Sequence, residues 1–154
     1  MDLNEIVKKQ ESFLARLIRE DIEIRATYAE CELPIFADSG QLEAVLMNFV
    51  TNARDAMPGG GVIEIRTEQA ILGEEFIAAH GGGAAGRYAA VIVSDTGEGI
   101  DESIISKIFD PFFSTKEQGK GTGLGLSMVY GIVGQHNGYM DVSSERGKGS
   151  TFRV

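Results

Sequence analysis

The stretch Asn48-Phe49-Val50-Thr51-Asn52-Ala53-Arg54-Asp55-Ala56-Met57 decides how the sequence around it is read. Leu42, Val45, Leu46, Phe49 and Val50 recur at helical spacing, and Asp38 and Ser39 stand where caps belong. Pro58-Gly59-Gly60-Gly61 stops the run after Met57, so the segment reads as one amphipathic helix. Asn48, Asn52 and Asp55 are four and three residues apart and project from one face beside the apolar stripe. Asparagine is a poor helix former that competes for backbone hydrogen bonds, so two of them in mid-helix call for a reason. Taken alone the row reads more readily as a solvated face, and its weight comes from the rest of the chain.

Outward toward the N-terminus, Leu3, Ile6, Val7, Leu14, Leu17 and Ile18 predict a helix capped by Asp2 and ending near Arg19. Alternation from Ile22 to Tyr28 predicts a half-buried strand, followed by a short strand around Ile35 and Phe36. Toward the C-terminus, Val62 to Thr67 and Tyr88 to Val93 read as strands, the second apolar enough to be central. Between them lies a variable stretch ending in His80-Gly81-Gly82-Gly83-Ala84-Ala85-Gly86, which reads as a flexible loop without assigned function. A short helix near Glu102 to Ile108, a helix from about Leu124 to Gln135, and a hairpin of Tyr139–Ser144 with Ser150–Val154 complete the chain. Antiparallel hairpins mixed with helices predict an α+β fold: a two-layer α/β sandwich with helices packed over one face of a mixed sheet. At 154 residues, one domain over 1–154 is expected, without a repeat or a second core.

Composition narrows the function classes. With 43% hydrophobic and 24% charged residues, the chain is neither disordered nor membrane-spanning in character. No apolar run approaches the roughly 20 residues that cross a bilayer, and the start lacks a signal-peptide layout, so no direct membrane contact is expected. A net charge of −9 argues against a nucleic acid partner, whose affinity comes from cations neutralising phosphates. It also means that any nucleotide site must supply local donors and a metal ion. Cys31 is the only cysteine, which excludes an internal disulfide and fits a cytoplasmic location.

Two further stretches join the asparagine row. Asp95-Thr96-Gly97-Glu98-Gly99-Ile100 follows an apolar strand; the glycines permit a tight turn and close approach to a flat ligand, and the aspartate can accept from an exocyclic amine. By itself it is as readily an ordinary turn. Gly119-Lys120-Gly121-Thr122-Gly123-Leu124-Gly125-Leu126 runs into a helix, where unpaired amides and the helix dipole suit phosphate oxygens, with a plain flexible hinge as the competing reading. It satisfies neither the Walker nor the dinucleotide glycine pattern and follows a loop, so those readings lose their support. Between the two sits Ile108-Phe109-Asp110-Pro111-Phe112-Phe113-Ser114-Thr115-Lys116. Phe109 there suits core packing, and the remainder a hinged lid carrying Lys116 and Lys120, though the two lysines read equally well as solvated surface charges.

In order and spacing, these segments resemble the N, G1, F and G2 boxes of the ATP-binding catalytic domain of sensor histidine kinases, in the superfamily shared with gyrase, heat-shock chaperone and mismatch-repair ATPases. The wording Asn-Ala-Arg-Asp-Ala-Met-Pro and Asp-Pro-Phe-Phe-Ser-Thr-Lys is closest to kinases of the nitrogen-regulation type. The resemblance implies a Bergerat-type fold, with ATP and Mg²⁺ as ligands and Asn52 presenting its carbonyl oxygen to the metal. It makes Asn48, Asn52 and Lys120 the catalytic set. Asp95 would accept from the adenine amine, Gly97, Gly99 and Ile100 would line the base pocket, and Thr151 would assist at the adenine edge. Asn48, Asn52, Asp55, Lys116, Gly121, Thr122, Gly123, Leu124, Gly125 and Leu126 would complete the nucleotide contacts.

Related ATPases carry a glutamate one turn before the metal asparagine, whereas this chain has Asn48, which is no base near neutral pH. Transfer to an outside nucleophile is therefore favoured over an ATP-hydrolysing switch, and the filled motif positions disfavour a mere docking module. His80 and His136 are poor candidates for the acceptor, the first in a glycine loop and the second better suited to ending a helix before Asn137-Gly138. The acceptor histidine is thus expected on separate helices of a longer, homodimeric parent, membrane-anchored or not, that signals to a response regulator. Residues 1–20 would belong partly to the connection with those helices.

Overall fold

The apolar run that ends in Asp95 lies in the middle of a five-stranded sheet. A computed structural model describes residues 1–108 and 125–154. Its strands are β1 (Ile22–Thr27), β2 (Gly61–Leu72), β3 (Gly86–Asp95), β4 (Asp141–Glu145) and β5 (Gly149–Arg153), in the order β1-β2-β3-β5-β4. β1 runs parallel to β2 and every other pair is antiparallel, so the sheet is mixed. The helices are α1 (Leu3–Arg16), α2 (Ser39–Asp55), α3 (Glu74–Ala79) and α4 (Gly125–Gln135), with a 3₁₀ turn at Ile105–Lys107.

Side chains alternate across a strand, so register tells which residues share a face. Ile24, Ile63, Asp95, Ser150 and Ser144 stand opposite one another in successive strands, and one step along stand Ala26, Ile65, Val93, Phe152 and Val142. This face carries the core: Ile63, Ile65, Val91, Val93 and Phe152 cluster with Leu3, Val7 and Leu14 of α1, Val45, Leu46, Phe49 and Val50 of α2, and Val129 of α4. Phe49 stacks on Phe152 with ring centroids 5.2 Å apart, fastening α2 to β5. Burial of such a ring stabilises by roughly 1.5–3 kcal/mol. The other face is polar; there Arg153 pairs with Glu68 at 2.9 Å, and Arg25 with Glu23 at 3.0 Å. The expected layered α+β arrangement is the one observed.

Asp2 caps α1 by accepting from the Asn4 amide, and Asp38 caps α2 by accepting from the Gln41 amide. α1 is also held by a buried side chain. Asn4 donates to the carbonyls of Ala29 and Cys31 and accepts from the Thr67 hydroxyl, so every polar atom it takes out of water has a partner.

Three local expectations change. Ile35 and Phe36 form no strand: Ile35 exchanges backbone bonds with Met1, and Asp2 and Pro34 make an isolated bridge, a pairing too short to count as a ladder. The hairpin of β2 and β3 is longer than the alternation indicated, reaching Leu72 and Gly86. The variable stretch contains α3, six residues long and too short to show a period, with Glu74 and Glu75 complementing its N-terminal dipole.

Candidate functional site

α2 presents Asn48 and Asn52 one turn apart, both partly buried, with the Asn52 Nδ2 donating to Asn48 Oδ1 at 3.0 Å. That bond orients the Asn52 amide: its nitrogen is used on Asn48, and its carbonyl oxygen remains to face a ligand. Ala56, one turn farther, caps α2, so Asn48, Asn52 and Ala56 mark a row about 12 Å long on the helix.

Each end of that row is closed by a glycine packed against the helix. At Gly125, the first residue of α4, a Cβ would fall 2.5 Å from Asn48 Nδ2 and 3.0 Å from its Oδ1. At Gly97 a Cβ would fall 2.5 Å from the Ala56 carbonyl oxygen, which receives the Glu98 N–H at 3.0 Å. The loop after β3 and the start of α4 therefore flank the asparagine row from opposite ends.

The same loop is tied to the β4–β5 hairpin. Gly99 takes φ +74°, a left-handed conformation suited to glycine, and a Cβ there would run into the Glu145 carbonyl. The Ile100 N–H donates to Ser144 Oγ at 2.7 Å, and the Gly147 N–H to the Glu98 carbonyl at 2.6 Å. Ser144 Oγ lies 2.8 Å from Ser150 Oγ.

Asp95 closes β3 and is buried. Burial pushes its carboxyl above the usual aspartate range, and the backbone N–H groups of Gly97 and Ser150, which donate to it, pull partly in the other direction. A buried acceptor at the end of a core strand, bonded to the glycine turn and in register with Ser150 and Ser144, suits a planar base with an exocyclic amine.

The expected residues fall into three groups. Asn48, Asn52, Gly97, Gly125 and Asp95 are brought together by α2, the end of β3 and the start of α4. Gly99 and Ile100 are stitched to the hairpin beside them, Leu126 packs against the core, and Asp55 lies at the end of α2 in contact with Arg54 at 3.2 Å. Thr151 stands apart: it pairs with Ser94, its Oγ1 3.0 Å from Ser94 Oγ, on the sheet face opposite Asp95. The hydroxyl residue that shares the Asp95 face is Ser150, one position earlier, with Ser144 behind it. Counting parity back from Phe152, a core residue, would have found it. Lys116, Lys120, Gly121, Thr122, Gly123, Leu124 and the lid lie outside the described residues.

Among the described residues, no group of three or more histidine, cysteine or acidic side chains is placed to hold a metal. The Asn52 carbonyl oxygen still fits Mg²⁺, which accepts one or two protein oxygens and takes the rest of its shell from phosphates and water. No described helix is long and apolar enough to cross a membrane.

Residues 37–154 match the family described as histidine kinase-, DNA gyrase B-, and HSP90-like ATPase. The sensor kinase CckA of Brucella abortus (strain 2308) is 44% identical over 154 residues, covering all of this chain and 16% of that protein. The mycobacterial sensor histidine kinase MprB superposes with a TM-score of 0.76 at 25% identity, over 99% of this chain and 92% of that one. The catalytic domain of the histidine kinase ThkA gives 0.71 at 27% identity, over 99% and 90%. The chain thus spans about a sixth of its CckA relative but nearly all of these two solved structures.

Proposed function

This chain belongs to the histidine kinase-, DNA gyrase B- and HSP90-like ATPase family as an ATP-binding domain of the sensor-kinase type, and on that premise we propose that it binds Mg–ATP and passes the γ-phosphoryl group to a histidine on a separate dimerisation domain. Residues 1–154 act in this reading as one catalytic domain, with α1 packed into its core.

The observation that carries the reading is the asparagine row of α2, flanked at one end by Gly125 and at the other by the Gly97–Glu98 turn, beside a buried Asp95. Asp95 accepts from the adenine amine, and Gly97, Gly99 and Ile100 shape the base pocket. Asn52 directs its carbonyl oxygen at Mg²⁺. Mg²⁺ held there would neutralise phosphate charge. The amides at the start of α4 hold phosphate oxygens by position and dipole. Lys116 and Lys120 are proposed to add charge from the segment between Ile108 and Gly125.

Asn48 keeps the site from hydrolysing its own nucleotide. An amide takes no proton from water near neutral pH, so no general base stands one turn before Asn52. The nucleophile is then the imidazole of the partner helices: a P–N bond forms on it as the bond to the β,γ-bridging oxygen breaks, and ADP leaves with the electron pair. In this reading the parent is a homodimer, anchored in a membrane or free in the cytoplasm, that passes the phosphoryl group to a response regulator.

Calorimetric titration of the 154-residue chain tests the proposal. Mg–ATP is expected to bind without turnover, Asp95→Ala to remove binding while the fold persists, and Asn52→Ala to weaken binding only with Mg²⁺ present. Equal loss for Asn52→Ala in chelator refutes the metal role, and multiple turnover by the isolated chain replaces transfer with hydrolysis.

A further inference from the structure

α2 and α4 run antiparallel and touch at both ends. Gly125, the first residue of α4, packs on Asn48 in the middle of α2, while His136, just past the end of α4, reaches Asp38, the cap of α2. From Asp38 to Asn48 the helical rise is about 15 Å, and from Gly125 to His136 about 16 Å, so the two contacts clamp matching lengths. Val45 and Val129, both fully buried, lie between them.

The far contact is a single directed bond. His136 Nδ1 lies 2.8 Å from the Ile132 carbonyl oxygen, which can only accept, so Nδ1 carries the proton. Nε2 is left with a lone pair, and it receives the Asp38 N–H at 3.1 Å. Asp38 has its other groups engaged inside α2, its carboxylate with the Gln41 N–H at 2.9 Å and its carbonyl with the Leu42 N–H at 3.1 Å. The imidazole is itself held firmly. Asn137 takes φ +57°, and the N–H groups of Asn137 and Gly138 return to the carbonyls of Gly134 and Val133, so α4 ends in a closed left-handed cap directly beside His136. A side chain needed only to end the helix has no use for Nε2.

We infer that His136 is a positioning residue for the nucleotide site: by bonding Asp38 it sets the angle between α2 and α4, and so the gap between Asn48 and the first turn of α4. This rests on the Mg–ATP reading above. Two substitutions separate the halves of the imidazole. His136→Asn places an amide where Nδ1 lies and stops short of Asp38; His136→Gln extends one bond farther and puts an acceptor near Nε2.

The test is a Mg–ATP titration of the native chain and both variants, together with the side-chain amide resonances of Asn48 and Asn52 recorded by ¹⁵N NMR without nucleotide. His136→Asn is expected to weaken Mg–ATP about fivefold, the worth of one lost hydrogen bond, and to move both amide resonances. His136→Gln should restore the native affinity and spectrum. An Asn variant with native affinity overturns the inference, as does a Gln variant as defective as the Asn one. If the native chain itself fails to bind Mg–ATP, it is the function proposed above that falls, and the nucleotide-free amide shifts still decide whether His136 positions the α2 face.

Discussion

Replacing Gly125 by alanine adds one methyl group at the contact between α4 and α2. That Cβ falls 2.5 Å from Asn48 Nδ2, 3.0 Å from Oδ1 and 3.1 Å from Cγ, so the whole amide is crowded rather than one flexible tip. Ordinary contact begins near 3.4 Å, and the amide must retreat by about 0.9 Å. The bond from Asn52 Nδ2 to Asn48 Oδ1, now 3.0 Å, then lengthens past the hydrogen-bond limit, and the Asn52 amide loses what orients its carbonyl oxygen. The lost bond costs about 1 kcal/mol, while alanine in place of glycine in a helix returns up to about 1 kcal/mol. Thermal stability is therefore expected to change by less than about 3 °C. Mg–ATP affinity, which depends on the displaced groups, should fall by about tenfold. Gly131→Ala is the matched control, since nothing lies within 4 Å of its Cβ position on the same helix. It should raise the melting temperature by about 2–4 °C and leave binding unchanged. Differential scanning calorimetry and isothermal titration of both variants decide the matter. A Gly125→Ala chain that binds Mg–ATP like the native one refutes the reasoning that the asparagine pair is held in working geometry by the absent Cβ.

Asp95→Asn should uncouple a pH dependence of stability from the rest of the chain. Burial raises the Asp95 pKa, so the folded chain holds that proton more tightly than the unfolded one; the stability this contributes is present in acid and is lost as pH rises through the folded value. The melting temperature of the variant minus that of the native chain is expected to increase from about pH 4 to neutrality, and a difference that is flat or falls with pH contradicts the burial argument. The two adjacent hydroxyl residues of β5 should also behave differently. Ser150→Ala, on the Asp95 face, is expected to weaken ATP binding severalfold in fluorescence titration, whereas Thr151→Val, on the opposite face beside Ser94, should leave it unchanged. The reverse order would show that the register does not decide which hydroxyl serves the base.

Much of the architecture was legible from local rules. The apolar stripe of α2, its Asp38 cap and its glycine stop belong to neighbouring residues and follow from periodicity and backbone sterics. The asparagine pair was legible too, because a turn of helix puts residues four apart side by side whatever surrounds them. α3 was not, since six residues show no period and the stacked rings of Phe76 and His80 pack on Tyr139, which the connection between α4 and β4 brings in from far along the chain. The strand expected at Ile35 and Phe36 failed for a related reason. A strand needs a partner, and the segment bonds to Met1 and Asp2 rather than to the sheet.

By itself, then, the sequence marked the candidate residues and the helices and strands that bear them, because residue type and short spacing are local properties. Only the tertiary structure decided which of them meet. The choice of Ser150 over Thr151 turned on a register between β3 and β5, more than fifty residues apart, and a shift of one position reverses every face. The closeness of Gly125 to Asn48 and the bond from Asp38 to His136 likewise came from two distant helices packing antiparallel over one sheet face. Such contacts depend on how helices and strands close around a shared core, and a linear pattern carries no record of that distance.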